Sequence, residues 1–270
     1  MPLTELMHYF NDQLQSQART KSLPKTGFYK VENGYWARFG SLTLGSQFHI
    51  IEQKNSTEPL GHYSETIIRS GTGKLLNIDD IFNSLDNTNE IIHLDRLTRT
   101  LHSLNYLQQY DGQKKLLALT VQPRHIVSVI AEHGKTFETI LSDCGLGAER
   151  VLLHTRLLDH TTISHFRNAL LSYRSRGYLV GLTLENPEDV DLLNQLHLEP
   201  DVIFYSDSNL EQTEISYLRN LLSKDASTVF GKTQRIIVND EFVRLTGFDG
   251  YLNLNKSESR IDITIQQSAG

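Results

Sequence analysis

Short apolar runs recur along this chain and alternate with segments of helical periodicity. Most of the runs are continuously apolar and rich in β-branched residues, which is typical of parallel strands covered by helices. The predicted strands are FHIIEQ from Phe48, YSETIIR from Tyr63, KLLALTVQ from Lys115, RVLLHT from Arg150, YLVGLTLE from Tyr178, DVIFYS from Asp201, QRIIVN from Gln234 and GYLNLN from Gly250.

The segments between these runs have the periodicity of amphipathic helices. Residues 89–110 place leucines and isoleucines at helical spacing, and residues 160–176 and 211–223 do the same. Pro187, after a capping residue at Asn186, opens another helix. Eight strands with interleaved helices predict an α/β fold, a (β/α)8 TIM-like barrel.

The first connection departs from the regular barrel pattern. Only about ten residues, including the turn-forming stretch 55–59, separate the first strand from the second. A parallel crossover requires roughly a dozen residues or more, usually with a helix. We therefore expect the first strand to run antiparallel to the second.

The N-terminal residues differ in character from the barrel. An apolar stripe predicts a helix near the start of the chain, and Asn33-Gly34 between FYKV and YWARF predicts a β-hairpin. The predicted organisation is a helix and hairpin extension over residues 1–45, a barrel over 46–256 and a polar tail over 257–270. The sequence IDITI in the tail could form an edge strand.

Composition narrows the range of functions. The chain has 270 residues, a formal net charge of −6 and one cysteine. No dense basic patch supports nucleic acid as a partner, since phosphate neutralisation needs clustered lysine and arginine. The chain contains no long apolar run typical of a membrane span and no secretory signal pattern. A single Cys144 cannot form an internal disulfide, so we expect a cytoplasmic protein.

Several motifs occur in an order typical of a known family. SETIIR places Glu65 and Arg69 after a short strand, with Thr66 and Ile67 where an Ala-Leu pair would be expected. A phenylalanine helix at 78–82, a Leu-Asp-Arg triplet at 94–96 and Pro123-Arg124 after the next strand follow. Over residues 48–255 this pattern resembles the EAL domain, the bacterial module that hydrolyses cyclic di-GMP. The resemblance implies a barrel with an antiparallel first strand.

The resemblance also implies where catalytic residues should lie, and this chain differs there. The family's reaction uses two divalent cations, held by carboxylates and an asparagine, to activate water. Of those positions only Glu65 keeps a ligand. The residues at or near the others are Thr120 for the asparagine, His154 for a glutamate, Thr183 and Leu184 for two aspartates, Phe204 for the catalytic lysine, Ser206 for an aspartate and Asn239 for a glutamate. We therefore predict a pseudoenzyme with no catalytic residues, no metal ligands and no cofactor.

Glu65 and Arg69 allow two interpretations. They could be the remnant of a ligand site, in which the arginine meets a phosphate. Alternatively, they form a structural ion pair with each other or with a neighbour. A rebuilt metal site is a further hypothesis, because acidic residues and a histidine fall near the strand ends where barrel sites lie. These residues are His154, Glu185, Asp207, Asp240 and Glu241.

Three functional hypotheses follow. The first is a non-catalytic, EAL-like regulatory protein that binds another protein in cyclic di-GMP-related signalling, such as the control of motility, biofilm or transcription. The second is a receptor that binds cyclic di-GMP without hydrolysing it. The third is a residual cyclic di-GMP phosphodiesterase. The resemblance adds a homodimer as an expected assembly.

Overall fold

The computed structural model describes residues 3–21, 23–32, 34–110, 115–129, 135–206, 210–224 and 235–257. Its helices are α1 (Leu3–Lys21), α2 (Ile78–Ser84), α3 (Thr88–Tyr110), α4 (Pro123–Ser128), α5 (Lys135–Cys144), α6 (Ile163–Ser175), α7 (Glu188–Leu196) and α8 (Gln212–Lys224). Its strands are β1 (Thr26–Val31), β2 (Gly34–Phe39), β3 (Leu42–Gln53), β4 (Gly61–Arg69), β5 (Leu75–Leu76), β6 (Leu116–Thr120), β7 (Val151–Arg156), β8 (Leu179–Leu184), β9 (Val202–Tyr205), β10 (Arg235–Asn239) and β11 (Gly250–Ser257). The IDITI segment lies outside the described residues.

Eight strands close into a barrel. The ring runs β3, β4, β6, β7, β8, β9, β10 and β11, and β11 pairs with β3 again. β3 is antiparallel to both of its neighbours, while the remaining ring pairs are parallel. The predicted barrel and its reversed first strand are confirmed. The strand order also places the carboxyl ends of the parallel strands together at one end of the barrel.

The predicted N-terminal helix and hairpin are also confirmed. β1 and β2 pair antiparallel from Thr26↔Phe39 to Val31↔Gly34. β2 pairs with β3 only over 37–39, where the hairpin joins the sheet. Beyond that point the Trp36 ring lies over Gly45, where an added Cβ would be 3.0 Å from the indole. A larger residue at position 45 would therefore displace the tryptophan.

Two asparagine side chains fasten the extension to its helices. Asn11 of α1 accepts a hydrogen bond from the Phe28 amide (2.6 Å) and donates one to the Phe28 carbonyl (2.8 Å). Asn105 of α3 makes the same pair with Tyr35, at 2.7 and 2.9 Å. Each amide replaces a missing neighbouring strand, because it satisfies one backbone donor and one backbone acceptor.

A buried polar network continues from Asn105 into the barrel. Asn105 donates to the Ser46 hydroxyl at 3.0 Å, and the ring of His102 joins Ser46 (2.8 Å) to Thr66 of β4 (2.9 Å). β3 is thus shared between the hairpin and the barrel, and it begins at Leu42. The division of the chain into 1–45, 46–256 and 257–270 stays a prediction.

No helix among the described residues is both long and apolar enough to cross a membrane.

We expect Asn105→Ala to destabilise the fold by about 2–4 kcal/mol, because it leaves the buried amide and carbonyl of Tyr35 without partners. The measurement is the free energy of unfolding in urea. Asn83→Ala on the exposed side of α2 is the matched control, for which we expect a change within about 0.5 kcal/mol. Equal effects of the two substitutions would contradict the docking role of Asn105.

Candidate functional site

A cavity of about 340 Å³ opens at the carboxyl ends of the parallel strands. Side chains from β3, β4 and each of the parallel strands line it, together with residues of α2, α3 and the start of α4. This is the end of a barrel where sites are usually built, because the loops that follow the strands converge there.

A row of neutral side chains forms the floor of the cavity. The His154 ring is hydrogen-bonded through Nε2 to the Thr120 hydroxyl (3.2 Å) and through Nδ1 to the Thr183 hydroxyl (3.1 Å). Register explains the row, since Thr120 is the partner of His154 on β6. On the other side, His154 pairs with Gly181, where an added Cβ would be 2.9 Å from the histidine Cβ. Because Gly181 has no side chain, it leaves room for the side chain of His154.

Two aromatic rings pack against this row. The rings of Tyr63 and Phe204 each lie 5.0 Å from the His154 ring and 5.3 Å from each other. The floor thus combines apolar faces with the hydrogen-bonded ring of His154.

Burial keeps the groups of the floor uncharged. It lowers the pKa of His154 to about 3 and raises the pKa of Tyr63 to about 12. Burial also lowers the pKa of His102, behind β4, to about 3. In each case the charged form would lose its hydration without gaining a partner of opposite charge close enough to compensate.

The structure separates the two predicted remnant-site residues. Glu65 lines the cavity, with 56% of its side chain exposed, and its carboxylate lies 2.7 Å from His49 Nε2. Arg69 lies further along β4 and donates to the Gly73 carbonyl in the β4–β5 turn, at 3.2 Å. They do not pair with each other, and Arg69 does not line the cavity. A ligand role for either residue stays a prediction.

An ionic cluster lies at the rim of the cavity. Arg156 donates to Glu185 at 3.1 Å, and its other terminal nitrogen lies 3.9 Å from Asp79 of α2. These contacts link the ends of β7 and β8 to the short helix that follows β4. With Glu65, the lining formed by the described residues contains three carboxylates and one guanidinium.

The remaining predicted positions are spread over different environments. Ser206 and Asn239 line the cavity, whereas Leu184 is buried in the apolar core. Of the residues in the hypothetical rebuilt metal site, His154 and Glu185 line the cavity, Asp240 and Glu241 do not, and Asp207 lies outside the described residues. Among the described residues no group of three or more histidine, cysteine or acidic side chains is arranged to hold a metal ion.

A buried carboxylate sets the position of the β6 end. Asp95 on α3 is fully buried and accepts from the Gln122 amide at 2.9 Å and from Arg99 Nε at 3.0 Å. His125 Nδ1 lies 3.2 Å from the same carboxylate. Gln122 lines the cavity, so the Leu-Asp-Arg triplet recognised in the sequence supports the site without entering it.

Sequence reasoning did not single out His49, Tyr63, Asp79 or Arg156, all of which line the cavity. Strand alternation could have indicated Tyr63, because it lies two residues before Glu65 and therefore on the same face. His49 is the antiparallel partner of Tyr63, so the reversed first strand determines its place. Asp79 and Arg156 come together only through the loops.

Solved structures with the same architecture share low sequence identity with this chain. BlrP1 of Klebsiella pneumoniae, in a complex with manganese and cyclic di-GMP, superposes with a TM-score of 0.60 at 14% identity, over 91% of this chain and 65% of that one. A standalone EAL protein from Vibrio cholerae in its cyclic di-GMP-bound form gives 0.57 at 13%, over 79% and 92%. The FimX EAL domain of Xanthomonas citri, in complex with cyclic di-GMP, gives 0.55 at 16%, over 79% and 87%.

The fold is that of an EAL domain. No protein-family model matches this chain, and no curated protein matches it. The chain spans 65% of the length of BlrP1 and 49% of the Bacillus subtilis YkuI protein, a structure with an EAL domain solved with cyclic di-GMP and calcium. The similarity therefore concerns the EAL barrel and does not extend over the whole of these longer proteins.

The buried histidines predict a pH dependence of stability. The folded-state pKa values of His154 and His102, about 3, lie below the ordinary value near 6.5, so the unfolded chain binds protons that the folded chain does not. Stability is then complete above about pH 6.5 and falls toward pH 3, by about 1.4 kcal/mol per pH unit for each histidine. Urea unfolding across this range measures the slope.

The contribution of one histidine can be isolated by substitution. We expect His154→Gln to reduce the slope by about 1.4 kcal/mol per pH unit, because glutamine does not titrate. His8→Gln, at an exposed position on α1, is the control and should leave the slope unchanged. Parallel stability curves for wild type and His154→Gln would show that His154 is not held neutral by the fold.

Proposed function

We propose that this chain is a non-catalytic EAL-type barrel that acts in cyclic di-GMP-related signalling by binding another protein. The hydrogen-bonded row of Thr120, His154 and Thr183 carries the proposal. The link to cyclic di-GMP rests on the fold, because solved proteins with the same barrel contain this nucleotide. A cytoplasmic location and a homodimer are part of the proposal and rest on composition and on the resemblance.

The chemistry of the floor supports loss of hydrolysis. Divalent cations of the magnesium and manganese type require several oxygen ligands, mostly anionic. Here three neighbouring strands present two hydroxyls and one neutral imidazole, and these groups are engaged with one another. Phe204 lies where the resemblance places the catalytic lysine, and its ring packs on His154. The residues present do not fit a two-cation cluster.

The electrostatics of the cavity argue against the receptor hypothesis. Cyclic di-GMP is a dianion, and its phosphates would need cations or several N–H donors. Among the described residues, the lining contains three carboxylates and one guanidinium, that of Arg156, which lies against Glu185 and Asp79. Arg69, the other candidate for a phosphate contact, is bonded to a turn carbonyl outside the cavity.

Calorimetric titration with cyclic di-GMP, with and without Mn²⁺, tests the proposal together with an assay of hydrolysis. We expect neither heat of binding nor turnover, because the part of the lining that the structure describes has few anion-binding groups and does not fit a cation cluster that would neutralise the phosphates. Micromolar binding without turnover would select the receptor. Hydrolysis in the presence of Mn²⁺ would select the phosphodiesterase.

A variant with metal-ligand residues introduced into the floor provides a positive control for the test of metal binding. We expect the triple variant Thr120→Asn, His154→Glu, Thr183→Asp to gain a rise in melting temperature on addition of Mn²⁺, since a ligand that binds only the folded state stabilises it. The wild-type protein should show no such rise. A Mn²⁺-dependent rise in the wild type that Glu65→Gln removes would contradict loss of the metal site.

A further inference from the structure

The cavity at the strand ends has an aromatic side. The ring planes of Tyr63 and Phe204 meet at 76° with their centroids 5.3 Å apart, and both residues line the cavity. Aromatic faces carry partial negative charge and attract organic cations within about 6 Å of the ring. This side of the cavity therefore favours a flat or elongated cation over an anion.

The rim of the same cavity is acidic. Glu65, Asp79 and Glu185 have 56%, 43% and 46% of their side chains exposed, so their oxygens can be reached from solvent. Arg156 compensates one negative charge, and the histidine and tyrosine of the floor are neutral near pH 7. The cavity thus keeps an excess of negative charge, with one carboxylate, Glu65, outside the Arg156 cluster.

His49 adds an unsatisfied acceptor to the cavity lining. The His49 side chain is 4% exposed, and Nε2 lies 2.7 Å from the Glu65 carboxylate. A carboxylate can only accept, so Nε2 carries the hydrogen, and in the neutral ring Nδ1 is then an acceptor. Nδ1 is buried without a hydrogen-bond partner. Leaving such a group unpaired is costly, so the His49–Glu65 contact alone does not satisfy the polar groups of the lining.

We propose that this cavity binds an organic cation, the guanidinium or ammonium group of a basic side chain on a partner protein. Such a group combines a positive charge and N–H donors for the Glu65 carboxylate with a face that packs on Tyr63 and Phe204. A volume of about 340 Å³ lies at the lower end of ligand cavities, which suits one side chain. The choice of a protein as the source of the cation rests on the proposed function.

The test uses N-acetylarginine amide and its neutral isostere N-acetylcitrulline amide as probes, titrated into the full chain and followed by backbone amide NMR. The arginine probe should shift the signals of residues near Glu65 and Glu185. It should bind at least about tenfold more tightly than the citrulline probe, because only the guanidinium makes the charged contacts. Equal binding of the two probes, or no shift with either, would overturn the proposal.

Variants test the contributions of the acidic and the aromatic residues to binding. Glu65→Gln and Phe204→Leu should each weaken binding of the arginine probe by about fivefold, since one loses the charge and the other the ring face. Glu241→Gln, an exposed acid that does not line the cavity, is the matched control and should have no effect. If the Phe204 variant unfolds, Glu65→Gln alone decides, because Glu65 is exposed and its carboxylate can change without a cavity in the core.

Two further titrations distinguish the possible sources of the cation. They also distinguish failure of the cation site from failure of the proposed function. A short arginine-containing peptide should bind more tightly than the free polyamine putrescine. The reverse order would assign the cavity to a small metabolite and overturn the role of a partner protein. Cyclic di-GMP in the same experiment tests the proposed function separately. If that nucleotide binds, the proposed function fails. If none of the probes shifts any signal, only the proposed cation site is contradicted.

Discussion

The hydrogen bonds that hold His154 between two threonine hydroxyls determine the chemistry of the whole site. They join β6, β7 and β8 at the end of the barrel where a binding site would lie. Because the ring is enclosed, the neutral form is favoured, and the floor carries no charge that could attract a cation cluster or a phosphate. Tyr63 and Phe204 complete this floor by covering the ring with apolar surface.

Uncharged polar groups with satisfied hydrogen bonds also attach the N-terminal extension. Asn11 and Asn105 each use one amide to complete the backbone hydrogen bonds of a hairpin strand. The chain Asn105–Ser46–His102–Thr66 then leads from the hairpin to the wall of the cavity. The extension is therefore part of the support of β3 and β4, and a change in the hairpin would be felt at the site through these bonds.

Charge, by contrast, is concentrated at the rim. Three residues from different parts of the chain form the contacts there: Asp79, Arg156 and Glu185. Their side chains are partly exposed to solvent, so each contact contributes little to stability. Their arrangement matters for recognition, since exposed charges determine which ligands approach an otherwise neutral cavity. A neutral floor beneath an acidic rim offers few groups that neutralise negative charge directly.

The sequence by itself determined the barrel, its antiparallel first strand, the helix and hairpin extension, and the residue types at the strand ends. These features depend on local patterns: continuous apolar runs, connection lengths and the Asn33-Gly34 dipeptide. The tertiary structure alone decided which side chains meet. Thr120, His154 and Thr183 are more than sixty residues apart from first to last, and only the strand register brings them into one row. Likewise, His49 meets Glu65 and Arg69 is kept away from the cavity because of the pairing of β3, β4 and β5, which no local pattern encodes.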